Sequence, residues 1–313
     1  MKILILGAGS IGSFFGGFLA KAGHQVCFLG RKVNNDAIRN KGLKIEGIWG
    51  DHLIKDISCF ESLNQIIDQG IKEFDTVIVS VKSYDTESVV EEYINKFPLS
   101  ASVISLQNGL GNIEKIESLV GSENTIGGRV ITGVEYLNPG HIRVTVSASN
   151  PVLGVINKSS AGIAEEAAKM FTAAGISTDV TDNIQTYIWE KVLYNCALNA
   201  LSTIININYG KLLLSSAARD LILNIIIEIY NVICKENIIV NFETPQDYTE
   251  HLFNQLIPLT FDHHPSMLQD INHNKRTEID SLNGAIVEIS KKHNLSSPYN
   301  STIVNIIKSK EQL

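Results

Sequence analysis

Hydrophobic positions in the first half of the chain come in short bursts separated by polar stretches. Lys2–Leu6, Gln25–Leu29, Thr76–Val81, Ser102–Leu106, Asn124–Val130 and Ile142–Val146 are runs rich in Ile, Val and Leu. Several of them are apolar at successive rather than alternate positions, which predicts strands covered on both faces, as in a parallel sheet. Between the first two, Ile11, Phe14, Phe15, Phe18 and Leu19 recur at helical spacing, giving a strand–helix–strand unit. A strand at Val152–Ile156, an alanine-rich helix at Ala161–Ala174 and a strand at Ile176–Val180 extend the pattern.

From about Asp182 the period changes. Helical stretches at Tyr187–Ile205, Ser215–Glu236, Gln246–Leu256, Ser266–His293 and Tyr299–Lys308 dominate, with no convincing strand among them. The expected architecture is an α/β domain over residues 1–181 and an all-helical domain over 182–313. The ligand cleft is expected between them.

Composition narrows the class. A chain of 313 residues, 44% hydrophobic and 19% charged, fits two globular domains with a sizeable core. The formal net charge of −7 argues against a nucleic-acid partner and makes single Arg and Lys residues in loops informative. Cys27, Cys59, Cys196 and Cys234 are scattered and read as small buried residues of a reducing compartment. Leu221–Ile233 is too short, and with Asn224, Glu228 and Asn231 too polar, for a membrane span. These features favour a cytoplasmic protein with a small-molecule partner, and they leave a homodimer open. His263-His264 lack a third ligand at suitable spacing, so they read as loop residues and no metal is expected.

The string GAGSIG (Gly7, Ala8, Gly9, Ser10, Ile11, Gly12) follows the first strand and opens the first helix. In that context G-x-G-x-x-G reads as the diphosphate loop of a Rossmann dinucleotide-binding domain. Gly7 permits the tight turn, Gly9 lets backbone approach a diphosphate, and Gly12 lets the helix pack closely on the sheet. A plain glycine turn, or a flavin or methyl-donor site, uses similar residues. After the second strand stand Gly30-Arg31-Lys32, with no acid before Asp36. Two cations where an NAD site carries a carboxylate suit a 2′-phosphate, so the cofactor expected is NADP(H). A solvated basic turn is the alternative. Lys82, after the strand ending at Val81, is a second cofactor candidate, and Gln107-Asn108-Gly109 places amides at another strand end.

In the second half, Lys191, Asn195 and Asn199 are spaced by four and share one helix face. They read as a substrate-binding ladder or as a solvated polar face. Ser266, with Gln269 three residues on, reads as a helix N-cap in a capping box. Glu278 reads as first-turn acid of a helix starting at Thr277.

GAGSIG, the GRK string at Gly30, QNG at Gln107, WEKVLYNCALN from Trp189, and PSMLQDI followed by KRTEIDSLNG resemble the ketopantoate reductase (2-dehydropantoate 2-reductase) family. They span nearly the whole chain in the family's order. The resemblance implies a helical second domain of the 6-phosphogluconate dehydrogenase C-terminal-like kind and NADPH-dependent reduction of a 2-oxo acid on the route to pantothenate and coenzyme A. It implies Lys191 as general acid and Glu278 as its supporting carboxylate. Asn108, Asn195, Asn199 and Ser266 would bind substrate. Gly7 to Gly12, Arg31, Lys82, Gly133 (with Thr132), Asn108 and Glu278 would meet the cofactor. Reduction of another 2-oxo acid, and a non-catalytic NADPH-binding regulator, are the alternatives.

Overall fold

The computed structural model describes residues 1–157 and 160–313. The chain divides into two compact units, Met1–Gln107 with Asn112–Ile184, and Asn108–Gly111 with Gln185–Leu313. The second unit therefore begins at Gln185 and takes in a four-residue excursion from the first half.

The first unit opens β1 (Lys2–Leu6), α1 (Ser10–Lys21), β2 (Gln25–Leu29), α2 (Lys32–Lys41), β3 (Leu43–Gly47), β4 (His52–Ile54) and β5 (Ile57–Phe60). It continues α3 (Leu63–Asp68), β6 (Thr76–Val79), α4 (Thr86–Ile94), β7 (Ser102–Ser105), α5 (Asn112–Val120) and β8 (Thr125–Arg129). β9 (Thr132–Asn138), β10 (His141–Ser147), β11 (Val152–Gly154), α6 (Ala161–Ala173) and β12 (Asp179–Thr181) complete it. The main sheet has eight strands in the order β12-β11-β8-β7-β6-β1-β2-β5. From β5 to β8 all neighbours are parallel, and β11 runs antiparallel to β8. Strand order reverses beside β1, between β2 and β6, which is the switch point where doubly wound sheets bind ligands.

In the main sheet the apolar runs are buried on both faces, as expected. Ile3 and Ile5 of β1 join one core with Phe14, Phe15 and Phe18 of α1, while Leu4 and Leu6 join another with Val77 and Val79. Each such fully buried side chain contributes about 1.5–3 kcal/mol of transfer free energy. β1 and β2 occupy the predicted residues, whereas β6 and β7 stop short of the predicted Val81 and Leu106. The expected strand at Ile176–Val180 lies instead at Asp179–Thr181, because Gly175 (φ +92°) and Ile176 close the end of α6 with N–H bonds to Thr172 and Phe171 carbonyls.

A second sheet, β4-β3-β10-β9, was anticipated only at β10. β3 (LKIEG) alternates apolar and charged residues, and β9 (TGVEYLN) mixes Gly, Glu and Asn into a strand that is neither fully buried nor cleanly alternating. Neither carries the continuous apolar signal of the main sheet.

The second unit is helical: α7 (Ile184–Ile205, whose first residue belongs to the first unit), α8 (Tyr209–Leu212), α9 (Ser216–Lys235), α10 (Pro245–His251), α11 (Ile257–Leu259), α12 (Ser266–Asn272), α13 (Asn283–Lys292) and α14 (Pro298–Gln312). Its core gathers Trp189, Val192, Leu193, Cys196 and Leu198 of α7 with Ile222, Ile225, Ile226 and Ile229 of α9. One expected helix, Gln246–Leu256, is continuous but changes its winding, and one expected long helix is broken. Between α10 and α11 lies a π-helical stretch, Leu252–Leu256, ahead of Pro258, which has no N–H to offer the carbonyl four residues back. The expected helix Ser266–His293 stops at Asn272. Asn274 takes a left-handed conformation (φ +51°) and Lys275 N–H returns to the Asp270 carbonyl, a Schellman-type stop. Cys27, Cys59 and Cys196 are buried as expected, but Cys234 is exposed. It shares the outer face of α9 with Asn231 and Lys235, while Ile229, Val232 and Ile233 turn inward. No helix among the described residues is long and apolar enough to cross a membrane.

Candidate active site

The glycine loop sits at the switch point, after β1 and beside the end of β6. Gly7 has φ +107°, its N–H donates to the Leu29 carbonyl at 3.0 Å, and a Cβ there would stand 2.7 Å from Val81 N. A Cβ on Gly12 would fall 2.0 Å from the Gly7 carbonyl oxygen and 2.5 Å from Ser80 Oγ. Both glycines are therefore required by the protein's own packing. Gly9 differs: a Cβ there would meet nothing within 4 Å. Its bareness serves no internal contact and leaves the backbone at the α1 N-terminus approachable, as a diphosphate requires. Ala8, Ser10 and Ile11 complete the turn and the start of α1.

Sequence reading missed two residues that hold this loop. Ser80, at the end of β6, donates its hydroxyl to the Gly7 carbonyl at 2.8 Å. Asn34, buried in the first turn of α2, donates to the Ala8 carbonyl at 2.8 Å. Nothing in an isolated Ser or Asn signals such long-range bonds. Arg31 is the N-cap of α2 and is exposed. The two expected cations are unequal: Lys32 is engaged by Asp36 in an ion pair at 2.9 Å, and Arg31 is in no ion pair among the described residues. Lys82 lies at the same sheet edge, as N-cap of a short 3₁₀ turn, Ser83–Asp85. Thr132 and Gly133 open β9, where Thr132 Oγ1 is buried without a hydrogen-bond partner among the described residues.

Of the amides after β7, Gln107 is structural. It donates to the Val81 carbonyl (2.8 Å) and Thr86 Oγ1 (2.7 Å), tying the ends of β6 and β7 together. Asn108 passes into the second unit. There Gly109 (φ +85°) lies so close to Ser281 that a Cβ would come within 2.4 Å of its carbonyl oxygen, and Leu110 N–H donates to that oxygen at 2.8 Å. This bond anchors the Asn108 segment to the turn that follows Glu278.

α7 carries Lys191, Asn195 and Asn199 on one face. Asn195 and Asn199 are 7% and 4% exposed, which removes the solvated-face alternative. Lys191 is half-buried. Asn199 Nδ2 donates to Ser266 Oγ at 3.3 Å, and its Oδ1 accepts from Met267 N–H at 3.2 Å. The capping-box reading of Ser266 is corrected here. Pro265 is the N-cap of α12 and Ser266 makes no cap bond, because Asn199 of α7 supplies the acceptor for the first turn. The first-turn reading of Glu278 is corrected too. Glu278 is the N-cap of a 3₁₀ turn, Ile279–Ser281, with no side-chain cap bond, and its carboxylate is largely buried at 8% residue exposure. Its carbonyl accepts from both Ser281 N–H (3.1 Å) and Ser281 Oγ (3.0 Å). Asn283, just beyond, donates to the Cys196 carbonyl of α7 at 3.1 Å, which fixes the Glu278 turn against the helix of Lys191.

The second unit thus collects Lys191, Asn195, Asn199, Ser266, Glu278 and Asn108, while the glycine loop, Arg31, Lys82 and Gly133 belong to the first. Residues 3–157 match the family described as ketopantoate reductase PanE/ApbA, and residues 183–311 match its C-terminal domain. The chain belongs to the ketopantoate reductase family. Among its relatives, the 2-dehydropantoate 2-reductase of Aquifex aeolicus is 38% identical over 99% of this chain and 97% of its own length. That of Pyrococcus abyssi is 34% identical over 100% and 99%. Two solved structures superpose with a TM-score of 0.88 over 100% of this chain and 99% of theirs. One is a PanE/ApbA family ketopantoate reductase from Ralstonia eutropha, 29% identical. The other is a D-mandelate dehydrogenase with NADH and anilino(oxo)acetate, 26% identical.

Proposed function

We propose that this ketopantoate reductase family member reduces 2-dehydropantoate to pantoate with NADPH, a cytoplasmic step toward pantothenate and coenzyme A. The observation that carries the proposal is the assembly around α7: an ammonium, three amides, a hydroxyl and a buried carboxylate within one unit, with Asn199 bonded to Ser266. The names of the Aquifex and Pyrococcus relatives support the substrate.

The first unit suits the cofactor. The bare Gly9 backbone takes the diphosphate, and Arg31 takes the 2′-phosphate. Lys82 and Gly133 serve the nicotinamide side. NADPH, when bound, supplies the hydride that reduces the 2-oxo carbon. As negative charge builds on the carbonyl oxygen, Lys191 stabilises it and gives it a proton, so the product carries a hydroxyl. Glu278 accepts a hydrogen bond from the substrate's 4-hydroxyl and orients Lys191. Asn195, Asn199, Ser266 and Asn108 bind the remaining polar groups of the 2-oxo acid.

The kinship with D-mandelate dehydrogenase favours one second reading, an aryl-substituted 2-oxo acid as substrate. A panel of 2-dehydropantoate, its analogue lacking the 4-hydroxyl, and phenylglyoxylate, each followed by NADPH oxidation, decides between them. Preference for 2-dehydropantoate in kcat/KM is expected. Preference for phenylglyoxylate overturns the substrate assignment, and cofactor binding without turnover on any of the three favours a regulator.

A further inference from the structure

Asn34 carries three side-chain hydrogen bonds that join distant parts of the first unit. Its Nδ2 donates to the Ala8 carbonyl in the glycine loop at 2.8 Å. Its Oδ1 accepts from Gly140 N–H, in the turn between β9 and β10, at 2.8 Å, and from Tyr136 Oη at 3.2 Å. The side chain is 6% exposed, so these bonds are made away from water, where losing one partner costs most. Its own N–H donates to the Arg31 carbonyl at 3.0 Å. Asn34 therefore pins the turn that carries Arg31 to the glycine loop on one side and to the β9–β10 hairpin on the other.

We propose that Asn34 and Tyr136 form a clasp that sets the distance between the glycine loop and Arg31, and thereby the preference for a dinucleotide bearing a 2′-phosphate. The reasoning rests on the NADPH reading above. A cofactor with a 2′-phosphate touches two points, the loop through its diphosphate and Arg31 through the extra phosphate. One without it touches only the loop. The loop's own conformation is held independently by Ser80 Oγ to the Gly7 carbonyl and by Gly7 N–H to the Leu29 carbonyl. Loosening the clasp thus leaves the diphosphate site formed but lets Arg31 drift from it. Tyr136 stands within the field of Arg31: burial raises its phenol pKa, and the Arg31 charge opposes that rise. The tyrosine hydroxyl accordingly steadies Asn34 at the place where the guanidinium must be aimed. Neither residue needs to touch the cofactor, and both are positioning residues for its selectivity.

The test measures NADPH and NADH dissociation constants by fluorescence titration for wild type, Asn34→Ala, Tyr136→Phe and Arg31→Ala, with a thermal melt of each. Losing all three side-chain bonds in Asn34→Ala and one in Tyr136→Phe predicts an NADPH-over-NADH ratio lowered about 5- to 10-fold in the first and about 3-fold in the second. In the Arg31→Ala background, Asn34→Ala is expected to weaken both cofactors by the same factor. If Asn34→Ala does not fold, Tyr136→Phe, which keeps the ring and the Gly140 bond, carries the test alone. Equal weakening of both cofactors by the clasp variants, with the ratio intact, overturns the clasp and makes it scaffolding. An unchanged ratio in Arg31→Ala itself overturns the 2′-phosphate reading and the clasp with it. A ratio that collapses in Arg31→Ala but survives both clasp variants overturns the clasp alone.

Discussion

Asn199→Ala deletes the acceptor that caps α12 from outside. Met267 N–H, on a residue only 2% exposed, loses its 3.2 Å bond to Oδ1, and Ser266 Oγ loses the donor at 3.3 Å. Pro265, the N-cap residue, has no side-chain oxygen to substitute. An orphaned buried N–H costs about 1–3 kcal/mol, and loss of a capping side chain about 0.5–2 kcal/mol. The expected destabilisation is about 1–2 kcal/mol, read as a lower urea midpoint at unchanged slope. Asn199→Asp separates this structural role from substrate binding. An aspartate oxygen still accepts from Met267 N–H, and the Ser266 hydroxyl can turn to donate to the other. Most of the stability returns, but under the proposed substrate-binding role of Asn199 the added negative charge stands beside an anionic 2-oxo acid. At about 5 Å and an effective dielectric of about 20, that repulsion is roughly 3 kcal/mol before solvent screening reduces it. KM for the 2-oxo acid should therefore rise about 5- to 100-fold, with NADPH binding unchanged. Unaltered stability in Asn199→Ala would refute the capping role, and unaltered KM in Asn199→Asp would remove Asn199 from the substrate site.

The two kinds of glycine in the loop predict opposite outcomes. Gly12→Ala drives a methyl into the Gly7 carbonyl and should destabilise the first unit by about 2 kcal/mol or more, whereas Gly9→Ala should melt like wild type yet bind NADPH at least ~10-fold more weakly. A stable Gly12→Ala or a tight-binding Gly9→Ala contradicts this reading. Glu278→Gln should leave the melting temperature alone and lower turnover on 2-dehydropantoate about 10-fold, with a smaller loss on the analogue lacking the 4-hydroxyl. An equal loss on both substrates excludes the hydroxyl contact. His263, held down to about 4 by burial from an ordinary 6.5, resists protonation in the folded unit. The unfolded chain takes up that proton first, so this contribution to stability is complete above about pH 6.5 and is lost as pH falls toward 4. Urea midpoints at pH 7 and pH 5 should converge in His263→Gln relative to wild type, and an unchanged gap rules His263 out as the source.

How much of this was legible in the sequence depended on whether the signal was local. β1 and β2 declare themselves because a strand buried on both faces needs apolar residues at every position, and KILIL and QVCFL nearly supply that. α7 was readable from its period and its four-residue spacing of Lys191, Asn195 and Asn199. β9 was not, since a partly exposed strand of Gly, Glu and Asn resembles a loop. The break at Asn274 was missed because an asparagine in the left-handed region does there what sequence reading expects of Gly or Pro. In the site, the glycine spacing was local and correctly placed. The separate roles of Gly7, Gly9 and Gly12 were legible from that spacing, but the Val81 and Ser80 contacts that enforce two of them are visible only in the fold. The transfer of Asn108 to the helical unit, the capping of α12 by Asn199 and the reach of Asn34 to Ala8 all join residues far apart in the chain. They depend on tertiary packing, and no pattern along the sequence records them.

Lys191 as proton donor is the central claim, and Lys191→Ala tests it most directly. NADPH oxidation is followed with 2-dehydropantoate at saturation, pantoate is quantified as product, and cofactor affinity is measured in parallel by fluorescence. The account predicts one pantoate per NADPH in wild type and a fall in turnover of about 10²–10⁴-fold in the variant, with NADPH affinity nearly intact. Turnover within a few-fold of wild type would contradict it, and would pass the proton to another group or to water.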